Sequence, residues 1–267
     1  MKKHMILSTV LVSSLFLGAT VAVNAAEGNE RYPEAGKANT TSKVNFIKTD
    51  KPEIVDPDNP DKPIIPVDPD NPDEPVTNPN NEAELVLQYV PNFEFGTYFW
   101  TPEGLTVPAK SDFIKGDEKP EEVVPFISTM DMRAVREGGW KLEVSSGDFT
   151  HNESGHVLEG AEVVFTNANY GSAVKAPVIT GTAMQSDIDK GFKLGGVKQK
   201  LATADGESSQ GIGSYSLKLG TQLDSREDDA NEKYMATNGV HLVVPPKTPA
   251  SVGEYTAELE WSLTPGI

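Results

Sequence analysis

The side chains able to do acid–base or metal chemistry are unevenly supplied: four histidines, forty acidic residues and no cysteine. His4 lies in an apolar N-terminal stretch. His151 and His156 flank Asn152-Glu153-Ser154-Gly155, a turn composition, and read as two solvent-exposed loop histidines. A zinc site would need a third and fourth ligand, and no spacing nominates them. His241 alternates with Val240 and Leu242, which puts it on the surface of a strand. No Gly-x-Ser-x-Gly elbow, phosphate-binding loop or cysteine nucleophile occurs. Asp56, Asp58 and Asp61 are clustered carboxylates that suggest calcium, but Pro60 stands where a ligand of a helix–loop–helix calcium site should be, and no glycine follows. Paired carboxylates for glycoside cleavage stay open only because acids are so abundant that no pair stands out. The residues nominate no catalytic group, no metal site and no cofactor, so the expectation is a protein that is not an enzyme.

Aromatic chemistry is the better lead. Tryptophan and tyrosine rings stack on the apolar C–H faces of sugars, and five residues are candidates for such a contact: Trp140, Trp261, Tyr255, Tyr98 and Trp100. The competing role is core packing. Trp140 shares a strand face with Leu142 and Val144, opposite Lys141, Glu143 and Ser145. Trp261 shares one with Tyr255, Ala257, Leu259 and Leu263, opposite Glu258, Glu260 and Ser262. This period-two alternation marks half-buried β-strands and favours the core, or its edge, for both tryptophans. Two strands with matching apolar faces are best satisfied by meeting across one core or lying side by side in it. The run Thr97-Tyr98-Phe99-Trp100-Thr101-Pro102 has no such alternation, and three successive aromatics entering a turn cannot all face one core.

The elements that must hold these residues are strands. From Asn81 onward, turn residues punctuate β-rich runs: Leu85–Val90, Pro125–Met130, Trp140–Ser145, Ala161–Thr166, Val178–Thr180, Ser214–Leu219, Val240–Val244 and Tyr255–Leu263. No stretch has a convincing helical period. The pattern implies an all-β, antiparallel β-sandwich over residues 81–267, immunoglobulin-like in general character. Asn167–Ala176 and Gly195–Gly213, polar and glycine-rich, are expected outside the sheets.

Ahead of this domain, residues 50–80 are rich in proline and aspartate, and Asp56–Pro63 recurs as Asp68–Pro75. Proline at this density implies a disordered, semi-rigid spacer, with a reach of at most about 80 Å over the 26 residues from Asp50 to Pro75. Residues 26–49 contain one short β-pattern, Lys43–Lys48, which would need a sheet edge to join. Residues 1–25 read as a secretory signal, with Lys2 and Lys3, an apolar stretch and Val23-Asn24-Ala25 as the cleavage signature. Its removal takes away two lysines and no acid, moving the formal charge from −17 to −19. Such an excess argues against nucleic acid and anionic lipid as partners. The absence of cysteine leaves no disulfide and no acylation site.

The two Trp-x-Leu strands, Trp140-Lys141-Leu142 and Trp261-Ser262-Leu263, lie in a wider ordered set of segments. Asn92–Thr97 looks like an opening Glu-Phe-Gly strand, and Asp131-Met132-Arg133 like an acidic-x-Arg turn before the first motif. Leu158–Glu162, Phe165–Asn167, Val240–Pro245 and Gly253–Thr256 follow in order. The set resembles the WxL family of Gram-positive cell-surface proteins over roughly residues 81–267. The resemblance implies export, non-covalent attachment to peptidoglycan or an associated wall polymer, and work beside a membrane-anchored WxL-interacting protein or other WxL proteins. It points to Trp140, Leu142, Trp261 and Leu263 as the motif residues, structural or ligand-contacting. An adhesive surface complex, with a protein as the true ligand, is the alternative it leaves open.

Overall fold

The computed structural model of the chain describes residues 36–47, 53–80 and 83–266. Two compact units result, Met1–Lys48 and Thr49–Ile267. In the first, residues 36–47 are exposed throughout, and 43–47 form no strand. The run has no partner strand within its unit among the described residues, and a lone strand is not stable in water. Lys48 and the signal sequence at residues 1–25 lie outside the described residues.

The second unit is all-β and antiparallel, with one short 3₁₀ turn at Ile188–Lys190. Strands are numbered in chain order. The first of three larger sheets runs β14 (Val178–Ile179), β16 (Gln199–Ala204), β10 (Trp140–Ser146), β21 (Leu259–Pro265). The second runs β15 (Phe192–Lys193), β12 (Glu162–Phe165), β19 (Lys233–Val244), β18 (Leu223–Glu227), with β6 (Leu105–Lys110) also on β19. The third runs β13 (Ala168–Asn169), β17 (Gly213–Leu219), β9 (Phe126–Asp131), β5 (Leu85–Tyr89). Alternation places the core. Trp140, Leu142 and Val144 of β10 are buried, while Lys141 and Glu143 between them are half-buried and ion-paired at 3.0 Å. Val163 and Phe165 from the second sheet and Ile127, Leu217 and Leu219 from the third complete one apolar core, in sandwich-like packing.

Several elements depart from the expectation. Gly195–Gly213 is not outside the sheets, because it contains β16, the central partner of β10. Leu201, Ala202 and Ala204 of that strand are fully buried. Alanine carries little β signal, and the close backbone approach at this strand depends on a glycine: a Cβ on Gly139, at φ +65°, would sit 1.8 Å from the Ala204 carbonyl oxygen. The run Tyr255–Leu263 is two strands, because β20 (Tyr255–Thr256) leaves to pair with β11 (Thr150–His151) before β21 begins. Asn167–Ala176 contributes the short strand β13 and the buried Tyr170. Asn92–Thr97 is not a strand; Phe93 and Phe95 instead pack edge-on against Phe165 and Phe149.

The largest correction concerns the proline- and aspartate-rich segment. Its described residues 53–80 are folded rather than a free spacer. β1 (Ile54–Val55) pairs with β2 (Pro63–Ile64), and β3 (Val67–Asp68) with β4 (Asn71–Pro75). Ile54 and Ile64 join Tyr89, Ile114 and Phe126 in a second apolar cluster, so β9 is covered on both faces. Proline is tolerated because these strands are very short or lie at an edge, while the aliphatic residues between the prolines supply the burial. The clustered acids act locally. Asp56 Oδ1 accepts the Asp58 and Asn59 backbone N–H groups at 2.8 and 3.3 Å, and Asp58 pairs with Lys218. No group of three or more metal-ligating side chains occurs among the described residues.

A buried charge cluster aims β10. Asp131, at the end of β9, takes paired bonds of 2.9 Å from Arg133 and one of 2.8 Å from Arg136. Arg133 also donates to Gly139 O, just before Trp140, and Arg136 to Ser208 O and Gln210 O. Burial would raise the Asp131 carboxyl, but the two guanidiniums outweigh it and hold it below the usual carboxylate range. The opposite balance holds at β7 (Asp112–Ile114), which pairs with β8 (Glu121–Val123). There burial pushes the Asp112 carboxyl up to about 6, against bonds from the Tyr89 hydroxyl and the Phe113 N–H.

Two predictions follow from these contacts. Trp140 and Trp261 do not touch; Trp140 faces Pro265 and Trp261 faces Val144, about 13 Å along the strand. Trp140→Ala should destabilise by about 3–5 kcal/mol and the partly exposed Trp261→Ala by about 2. The double mutant should equal their sum within about 0.5 kcal/mol in denaturant melts; a larger departure would mean that the rings share partners. The folded state holds the Asp112 proton more tightly than the unfolded chain. Its stabilisation, up to about 3 kcal/mol, is therefore full below about pH 4 and lost as pH rises through about 6. Asp112→Asn should flatten the pH dependence of the melt across that window, and an unchanged profile would reject the assignment.

Candidate functional site

β10 and β21 bring the two Trp-x-Leu motifs side by side in one sheet. Leu142 lies opposite Leu263, Trp261 opposite Val144 and Trp140 opposite Pro265. The motif side chains are spent on packing. Trp140 is 1% exposed and Leu142 fully buried. Trp261 and Leu263 are half-buried and pack onto the same core, the Trp261 ring lying parallel to Phe165 at 6.0 Å between centroids. The Trp140 indole N–H finds no acceptor among the described residues, so the ring serves the fold by its volume.

Tyr255 is half-buried at the β11–β20 pair. Its ring meets His151 edge-on, and its hydroxyl bonds to His156 Nδ1 (3.1 Å) and accepts from the Ser251 N–H (2.7 Å). His151 is buried rather than exposed. Its Nδ1 accepts from the Ser154 backbone N–H, and its Nε2 donates to Val252 O at 3.0 Å, which assigns the tautomer. His156 is half-buried. His241 is also half-buried, held near Asn238 O and the Thr166 hydroxyl, and burial holds its pKa down. These histidines staple turns together.

The aromatic run at 98–100 is different. Tyr98 is half-buried against Tyr234 through their hydroxyls, but Phe99 is 73% and Trp100 56% exposed. The loop that carries them is tied down at each step. Asp228 Oδ2 accepts the Thr97 N–H at 2.8 Å, and Asp229 Oδ2 accepts the Phe99 N–H at 2.7 Å. The Asp229 N–H donates to Thr97 O, the Trp100 indole to Thr248 O at 2.8 Å, and the Lys247 N–H to Pro102 O. Gly96 permits this closeness: at φ +86°, a Cβ there would press on Asp228 Oδ2 at 3.2 Å. Asp228 also receives the Ala230 and Glu232 N–H groups, and the bonds from Thr97 and Glu232 lead in holding its carboxyl below the usual range. The result is a turn tied down by backbone bonds that displays two bare rings, with the exposed Asp229 bonded to it at Phe99. Rings held in place give up little conformational entropy on binding, and flat apolar faces rimmed by acceptors suit a hydroxylated, C–H-faced ligand.

Of the sequence candidates, Trp140, Leu142, Trp261 and Leu263 are brought together, Tyr255 sits apart from them, and only Trp100 presents an open ring. Phe99 belonged to the aromatic run but carried no signal of its own. Asp228 and Asp229 had none, since only the fold carries them to residues 97–99.

An all-β scaffold with packed motif strands and one rigid aromatic turn is the build of a binding or structural module. The chain belongs to the WxL family: the family's model, described as WxL domain surface cell wall-binding, matches residues 33–266. No curated protein and no solved structure matches it. The matched span includes the folded proline- and aspartate-rich segment. Membership places the chain among cell-surface, wall-associated proteins, and no helix among the described residues is long and apolar enough to cross a membrane.

Asp228 gives the test of loop rigidity. Its depressed pKa means that its support is present at neutral pH and lost as pH falls through its folded value. Asp228→Asn should speed amide exchange at Thr97 at least about tenfold at neutral pH. Unchanged protection there would show that the turn does not depend on this carboxylate.

Proposed function

We propose that this is a secreted, non-enzymatic surface protein held non-covalently to the Gram-positive wall, and that Phe99 and Trp100 make the contact with peptidoglycan or an associated glycan. The observation that carries this reading is the pair of exposed rings on a turn tied down by Asp228, Asp229 and Thr248. The motif tryptophans, packed into the core, act on binding through the fold. Family membership supplies the wall as the setting.

Purified, protein-free walls provide the test. Phe99→Ala breaks no hydrogen bond of its side chain and should melt like the wild type while binding walls at least about tenfold more weakly. Trp100→Ala should do the same with a small loss of stability from its bond to Thr248. Trp140→Ala should lose binding only in proportion to its unfolding. Wild-type retention by the Phe99, Trp100 double variant would overturn the site. Retention only on walls that keep their proteins would point to a membrane-anchored WxL-interacting partner as the ligand.

A further inference from the structure

β21 is the end strand of its sheet, hydrogen-bonded only to β10 among the described strands, with β5 of the third sheet packed close to it. Its ladder with β10 is phased at both ends, by Gly147 N–H to Glu258 O at 2.8 Å and Gly266 N–H to Gly139 O at 3.1 Å. In an antiparallel ladder alternate residues bond inward, so Glu258, Glu260, Ser262 and Thr264 turn their backbone groups to β10. Leu259, Trp261 and Leu263 turn theirs away, and among the described residues no strand pairs with them. Pro265, the next outward position, lacks a donor only at the strand's last residue.

Other edges carry protection, as with Pro108 in β6, which pairs only with β19. β18 ends its sheet with Asp224, Arg226 and Glu227, and the β5 edge is covered by Asn78, whose N–H and side-chain amide bond to Gln88 O and Leu87 O. β21 offers aliphatic and aromatic side chains at its outward backbone positions Leu259, Trp261 and Leu263, which is the form of edge that accepts another strand. Its side-chain charges, Glu258 and Glu260, are acidic and exposed, with Lys198 as the one cation paired to Glu260.

The chain also carries a strand-patterned run that joins no sheet within its own unit among the described residues. In Lys43-Val44-Asn45-Phe46-Ile47-Lys48 the described residues form no strand, with Val44, Phe46 and Ile47 exposed by 72%, 91% and 93%. The run alternates, has no proline, and is cationic at both ends, the complement of the acidic edge. We propose that the open edge of β21 accepts the 43–48 run of a second copy of this chain, so that copies associate head to tail. Val44 and Phe46 extend the apolar face of Leu259, Trp261 and Leu263, and the flanking lysines lie near Glu258 and Glu260. The contact is heterologous, so it propagates unless it closes into a ring. It is independent of the Phe99 and Trp100 surface.

The test uses the purified full chain and its mass in solution from micromolar to near-millimolar concentration. Wild type should associate with concentration, and added salt should weaken that association. Val44→Asp with Phe46→Asp disables the donor run and changes no residue of the second unit. N-methylation of Leu263, introduced by ligating a synthetic C-terminal peptide, blocks the edge while keeping its side chain and the β10 ladder. Each change should weaken association at least about tenfold, with unchanged melts. Mixed together, the donor-defective and edge-blocked chains should form one heterodimer and nothing longer, because each retains the half the other lacks. A wild-type chain that stays monomeric throughout overturns the proposal. So does association that survives in the Val44, Phe46 variant, which would mean that two β21 edges pair with each other.

Discussion

The ladder between β10 and β21 is the constraint on which the rest of the second unit depends. It pairs residue 140 with residue 265 and residue 146 with residue 259, so it cannot form before most of the chain lying between is drawn together. Closing such a loop carries an entropic penalty that grows only slowly with length, but it must be met before the ladder's own bonds contribute. What offsets it is burial. Trp140, Leu142 and Val144 reach a core to which all three sheets contribute, and Trp261 lies flat on Phe165 of the second sheet.

The approach to that ladder is set by charge. Asp131 is buried with two arginines around it, and a buried ion cluster is a weak source of net stability because desolvation consumes most of the Coulombic gain. Its geometric consequence is larger. Arg133 fixes the Gly139 carbonyl one residue before Trp140, and Arg136 fixes two carbonyls of the 205–211 loop, which folds against the Trp140 ring through Gly211. Any displacement of the cluster would therefore move the first residue of β10 and the wall of its pocket together.

How far the chain could be read in advance follows from the same physics. Where one face is buried and the other wet, as in β10 and β21, alternation named the strands and their inward faces. The acidic-x-Arg turn was legible too, because Asp131 and Arg133 are neighbours in sequence. Legibility failed where burial rests on small residues or on distant partners. β16 is buried through Leu201, Ala202 and Ala204, whose composition reads as loop. The proline-rich segment hides Ile54, Ile64 and Val67 among residues that argue for disorder, and only the surface beneath, Tyr89, Ile114 and Phe126, gives them somewhere to go. β19 was recognised only over its last residues, although it runs from Lys233 and serves β12, β18 and β6 in turn.

The division of labour among aromatics carries the functional lesson. The motif that identifies the family in sequence consists of residues with strict alternation, and strict alternation is the mark of a side chain committed to a core. Trp140 is the largest of the fully buried side chains among the described residues. Phe99 and Trp100 break alternation, leave water on their rings and are held still by backbone bonds to two aspartates and by one indole bond. Exposed apolar area is a standing penalty for a soluble domain unless something covers it. A turn anchored this firmly does not relieve that penalty by folding its rings inward. Alternation in Trp-x-Leu thus marks side chains that build the core, while the irregular run at 98–100 leaves two rings exposed.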